Sequence, residues 1–172
     1  MRGIFTGPIT LAFAFLVVLA PPTGACAFTF SDGIEEVCTT SDGMVRERYH
    51  PADDPTAPGG FIGFTHFDPA AGWIVDWNVL MLSSAPSYVH DFVFFHECAH
   101  AKLRTFDEVK ANCLGLIDMR AEGRAGKVIE ARLAAYHKRL GDMGPEYGQG
   151  SVFWARTLAC ANSSAGRNLV VH

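Results

Sequence analysis

One short stretch limits what this chain can fold into more than any other: His96-Glu97-Cys98-Ala99-His100. It reads H-E-x-x-H and follows the apolar run Phe92-Val93-Phe94-Phe95. Residues four apart on a helix lie about 40° apart round the axis and one turn along it. Two imidazoles at that spacing can share one cation, with the intervening Glu close enough to take a proton from a water beside it. The stretch therefore has to be helical and largely buried, and another part of the chain has to complete the ligand set.

A catalytic zinc takes three protein ligands and keeps one position open. The best source of the third is Thr105 to Gly115, a second helix expected over Thr105 to Ala121. There Glu108 and Asn112 lie one turn apart on one face. Glu108 can ligate while Asn112 supports a ligating imidazole by a hydrogen bond. Only seven residues separate His100 from Glu108, which permits a tight turn and an antiparallel return across the first helix. Two competing readings stand beside this one. Thr105-x-x-Glu108 is also a capping box, in which the Glu binds only the Thr105 backbone. Asp107 is a rival ligand, about 100° round the helix from Glu108.

The cysteines bear on the same helix. Cys98 lies about 200° from His96 and about 160° from His100, so it faces away from the metal and is a brace, not a ligand. The N-terminus has Arg2, an apolar core from Ile9 to Ala20, the breaker Pro21-Pro22-Thr23-Gly24 and the A-x-A site Ala25-Cys26-Ala27. This predicts a signal peptide over residues 1–27, cut after Ala27 with Ala25 as the alternative, and a periplasmic or secreted protein. The apolar run is too short for a span of ~20 residues, and Thr23 is a poor match to the Leu of a lipoprotein signal. The cut leaves Cys38, Cys98, Cys113 and Cys160. Four cysteines in an exported chain suggest two disulfides with three possible pairings, of which Cys38–Cys98 with Cys113–Cys160 is preferred.

The 172 residues are enough for a buried core and are read as one domain over residues 28–161 with a flexible tail over 162–172. The net charge of −4 and the lack of any basic patch exclude nucleic acid as a partner. Phe61–Phe67 and Trp73–Leu80, joined by Asp68-Pro69-Ala70-Ala71-Gly72, predict a β-hairpin, and Met44–Tyr49 an edge strand. Further helices are expected over Ser87–Arg104, Gly126–Leu140 and, capped by Ser151, Val152–Ala161. The fold class is therefore α+β, with a small hairpin or sheet beside a helical core. His66 and His90 are read as packing or surface residues, and Asp53-Asp54 as a solvated turn.

These residues resemble the gluzincin metallopeptidases, in which H-E-x-x-H and a downstream E-x-x-A-[D/N] or E-x-x-x-D share one zinc. The resemblance covers Phe92 to Leu116 closely, through His96–His100 and Glu108-Val109-Lys110-Ala111-Asn112, and the hairpin loosely. H-E-C-A-H with a Cys after the second motif is similar to small exported bacterial members. The resemblance implies a zincin-like core with two antiparallel zinc-binding helices. It assigns His96, His100 and Glu108 as ligands, Glu97 as general base, Asn112 as the supporting residue, and a peptide or protein as substrate. Asn112 stands where thermolysin-like enzymes have Asp, and the spacing to Glu108 is shorter. No motif supplies an oxyanion donor, so Tyr136, His137 and Tyr147 are candidates. The strand Trp73–Leu80 is expected to bind an extended peptide along its edge. The rival functional reading is a zinc-binding, catalytically silent envelope interaction or regulatory domain.

Overall fold

Among the described residues the strands come first and the helices follow. A computed structural model describes residues 27–56 and 59–171, so the expected signal segment lies outside the described residues. Two short ribbons come first: β1 (Phe28–Thr29) pairs with β2 (Glu35–Glu36), and β3 (Thr39–Thr40) with β4 (Gly43–Met44). They are followed by β5 (Arg46–His50), β6 (Gly63–Asp68) and β7 (Gly72–Asn78). The predicted hairpin is β6–β7, with Thr65 opposite Val75 and Phe67 opposite Trp73. Asp68 builds its turn by accepting from the backbone N–H groups of Ala70 and Ala71.

The sheet order is β5-β7-β6, with β5 parallel to β7. This corrects one expectation: β7 is the central strand, flanked on both sides, and has no edge to offer a peptide. The free edge nearest the helices belongs to β6. Two-residue alternation puts Glu47, Thr65, Val75 and Trp77 on the buried face, and Arg48, His66 and Asp76 on the other.

The buried face packs on α2 (Ser87–Leu103), reached through α1 (Val79–Ser84). Val79 and Leu80, expected at the end of the strand, start α1 because the Asn78 side chain accepts from the Met81 N–H and caps a helix there. Beyond α2 lie α3 (Glu108–Ala121), α4 (Lys127–Leu140) and α5 (Gly150–Ala161). Ser151 falls inside α5, whose cap position is Gln149. Phe28, Phe30, Phe94 and Trp77 form the centre of the core, with Phe28 in ring contact with Phe94 at 5.0 Å and Trp77 at 4.9 Å.

Both preferred disulfides are present, Cys38–Cys98 and Cys113–Cys160. The first ties α2 to the ribbon region and the second ties α3 to α5. The expected frayed tail is helical instead: α6 (Ser164–Arg167) and a 3-10 turn over Asn168–Val171. Ser163 caps α6, and Leu169 packs on the cluster of Ala99, Ala111 and Leu114. Among the described residues no helix is long and apolar enough to cross a membrane.

Candidate metal centre

Local geometry at the end of α2 explains how Glu108 reaches the two histidines. Arg104 adopts a left-handed conformation with φ 50°, which turns the chain sharply after Leu103. Asp107 then caps α3, its side chain accepting from the Lys110 N–H at 3.0 Å. The expected start at Thr105 is therefore corrected to Glu108. Thr105 caps nothing on Glu108; its hydroxyl accepts from the Asp107 N–H at 3.1 Å. The capping-box alternative fails, and so does Asp107 as a ligand. Glu108 is the first residue of α3 and turns inward.

α3 crosses close to α2 at Gly115. A Cβ there would lie 3.0 Å from the His96 backbone nitrogen, so a side chain would push the two helices apart. With the helices this close, the His96 Nε2, His100 Nε2 and Glu108 Oε2 atoms converge. His96 and His100 are 3.2 Å apart at Nε2, and Glu108 Oε2 lies 3.2 Å and 3.5 Å from them. A tetrahedral ion with bonds of about 2.0–2.1 Å sets its ligands roughly 3.3 Å apart. The three atoms already form one face of such a tetrahedron. This His/His/Glu group is the one among the described residues whose donor atoms could hold a metal ion.

The protonation pattern suits a cation. His100 Nδ1 donates to the Thr105 carbonyl at 2.8 Å, and since a carbonyl only accepts, Nε2 is left to present its lone pair to the centre. Glu108 Oε2 is buried without a well-directed hydrogen bond. Burial alone would raise the Glu108 carboxyl, but His100 and His96 hold it well below its ordinary range. Burial opposes a charge on His100 and the neighbouring Glu108 and Glu97 carboxylates favour one; the carboxylates prevail and raise it. Two imidazoles and a carboxylate, with His100 buried and His96 and Glu108 half-buried, are a donor set that could hold a metal ion.

Glu97 is 5% exposed and is fixed by Thr65, whose hydroxyl donates to Glu97 Oε2 at 2.7 Å. Gly63, on the same face of β6, makes this possible. A Cβ at Gly63 would meet the Trp77 ring at 2.6 Å and Glu97 Cγ at 2.9 Å. Sequence reasoning missed Thr65; the two-residue alternation that placed it on the inner face of the hairpin was the available signal.

Asn112 does not support an imidazole. Its Nδ2 donates to Thr157 Oγ1 at 3.2 Å, the Thr105 carbonyl takes the place foreseen for it at His100, and His96 Nδ1 has no partner among the described residues. Of the candidate donors, Tyr147 is the one brought to the centre. It lines a cavity of about 100 Å³ together with His96, Glu97, His100 and Glu108. Burial and the adjacent Glu108 carboxylate push its phenol well above the usual range, so it is a neutral donor. A second cavity of about 460 Å³ opens from His96 and Glu97 between α2 and α4 and holds Tyr136 and His137 in its wall. His66 and His90 are paired elsewhere, with Asp76 and Asp91.

No protein-family profile, curated protein or solved structure matches this chain.

Proposed function

We propose that the protein is an exported zinc metallopeptidase. The observation that carries this reading is the triangle of His96 Nε2, His100 Nε2 and Glu108 Oε2, with side lengths of 3.2, 3.2 and 3.5 Å, beside a buried Glu97. The resemblance to gluzincins in the H-E-x-x-H and E-x-x-A-N segments supports it. Two disulfides and the A-x-A site support export.

A zinc held by His96, His100 and Glu108 would supply a water acidified to a pKa near about 7. Glu97 would take the proton and return it to the leaving amine, and the hydrogen bond from Thr65 holds its carboxylate in place for that role. Tyr147 donates a hydrogen bond to the carbonyl oxygen of the substrate as charge builds there. The free edge of β6 holds the peptide backbone, because Thr65 and Gly63 on that strand flank Glu97.

The test is hydrolysis of a broad peptide library by the wild type, by chelated and zinc-restored protein, and by Glu97→Gln. The expected result is cleavage that chelation abolishes and zinc restores, with Glu97→Gln at least about 10²-fold slower while it retains zinc. Zinc retained by a wild type that cleaves nothing would overturn the peptidase reading in favour of a silent binding domain.

A further inference from the structure

The larger cavity, of about 460 Å³, has more room than one aromatic side chain needs and opens directly from the catalytic pair, His96 and Glu97. Its walls are apolar: Phe92 and Val93 from α2, Leu133 from α4, Phe153 from α5. Tyr136, Tyr147 and Asp142 line it as well, and on two further polar side chains, His137 and Asn112, the donors are already committed. His137 Nδ1 donates to the Leu133 carbonyl at 2.9 Å, and burial lowers the pKa of the ring, which leaves Nε2 an unprotonated acceptor with no partner among the described residues. Asn112 is fixed in the same sense. Thr157 Oγ1 donates to the Phe153 carbonyl at 3.2 Å and therefore accepts from Asn112, which turns the amide nitrogen to Thr157 and leaves the amide oxygen as acceptor. A largely apolar cavity in which His137 Nε2 and the Asn112 amide oxygen are unpaired acceptors favours a ligand that brings a donor to them.

We propose that this cavity is a specificity pocket for an aromatic side chain carrying a hydrogen-bond donor, that of tyrosine or tryptophan, on the substrate residue beside the cleaved bond. The proposal rests on the metallopeptidase reading for its location. Its chemistry comes from this chain's own residues. Phe92 lies 6.4 Å from the His96 ring and 6.5 Å from the His137 ring, so His137 stands two ring contacts from the metal centre, a distance suited to a long aromatic side chain entering past Glu97. Phe92 and Phe153 offer the ring edges and faces that aromatic side chains prefer. A phenylalanine or leucine side chain would fill the space and leave both acceptors unpaired, which costs affinity.

Two measurements decide it. Peptides that differ only in Tyr, Trp, Phe or Leu next to the cleaved bond are compared in kcat/KM. Separately, N-acetyltyrosinamide and N-acetylphenylalaninamide are titrated by NMR into zinc-loaded Glu97→Gln protein, where no cleavage intervenes. The expected result is a preference of about five- to tenfold for tyrosine over phenylalanine in both, expressed in KM, falling to about one in His137→Phe. Equal or weaker binding of the tyrosine amide, or a preference that survives His137→Phe, overturns the pocket. If tyrosine-selective binding is found but no peptide is cleaved, the pocket stands and the peptidase reading fails. Should His137→Phe not fold, the wild-type ratio alone decides.

Discussion

Histidines and carboxylates meet at several places among the described residues, and two of these clusters are built in opposite ways. On the outer face of the sheet, Asp76 accepts from Arg48 Nε at 2.7 Å and Nη2 at 2.8 Å, and from His50 Nε2 at 2.7 Å; His66 Nδ1 lies 3.2 Å away. His50 Nδ1 reaches Asp54 at 2.9 Å, so both its ring nitrogens are occupied by carboxylates. The permanent charge of Arg48 compensates Asp76, although His66 Nδ1 lacks a well-directed hydrogen bond. Between α2 and α3 there is no such cation. His96, His100 and Glu108 bring two ring nitrogens and a carboxylate oxygen to one spot, and Glu108 Oε2 lacks a well-directed hydrogen bond. The difference shows why residue type alone does not identify a metal site. A guanidinium in the cluster supplies the compensating charge itself, whereas a cluster without one could take that charge from a bound cation.

The largest effect that separates the clusters is on metal content. His96→Ala should lower zinc affinity by about 10²-fold or more, whereas His66→Ala should leave it unchanged, as read by competition with a chromogenic chelator. Equal losses in both would erase the distinction. Stability should respond in the reverse sense. Arg48→Met strips Asp76 of its cation and should cost about 1–3 kcal/mol in urea unfolding, with zinc content retained. A loss of zinc in that variant would join two regions described here as independent.

The smallest effect is on pH dependence, and its sign follows from His50. Hydrogen bonds to Asp76 and Asp54 raise its pKa, while Asp54 itself is lowered to about 2, so both partners stay charged at neutral pH. A raised histidine stabilises the fold fully below its unfolded value, near 6.5, and that contribution is lost as pH rises through the folded value. Unfolding midpoints measured from about pH 6 to 9 should therefore fall through that window in the wild type and flatten in His50→Gln. The same slope in both would show that the outer cluster is not held by a charged His50.

Much of the candidate metal centre was legible because its parts lie on two consecutive helices. The four-residue spacing of His96 and His100 is a local geometric fact, and Glu108 follows closely enough for a tight turn to deliver it. The disulfide preference rested on the same helical angles. What the sequence did not disclose depends on long-range pairing or on competition between caps. Arg46–His50 is recognisable as a strand, but nothing local says that it lies parallel to β7 and takes its second edge. Thr105 and Asp107 are both good caps, and the left-handed turn at Arg104 decides for Asp107. Asn112 turns to Thr157, a partner 45 residues away, and Thr65 approaches Glu97 from 32 residues before it. The polar tail gains its helices from one buried contact at Leu169 that composition alone does not reveal.

Everything proposed for the site requires that His96, His100 and Glu108 hold one zinc. The direct measurement is zinc per chain, by mass spectrometry of the metal, after dialysis of wild type and Glu108→Ala against metal-free buffer. The expected result is about one zinc in the wild type and nearly none in the variant, with both folded. A wild type free of zinc, or a Glu108→Ala protein that keeps a full equivalent, would contradict it.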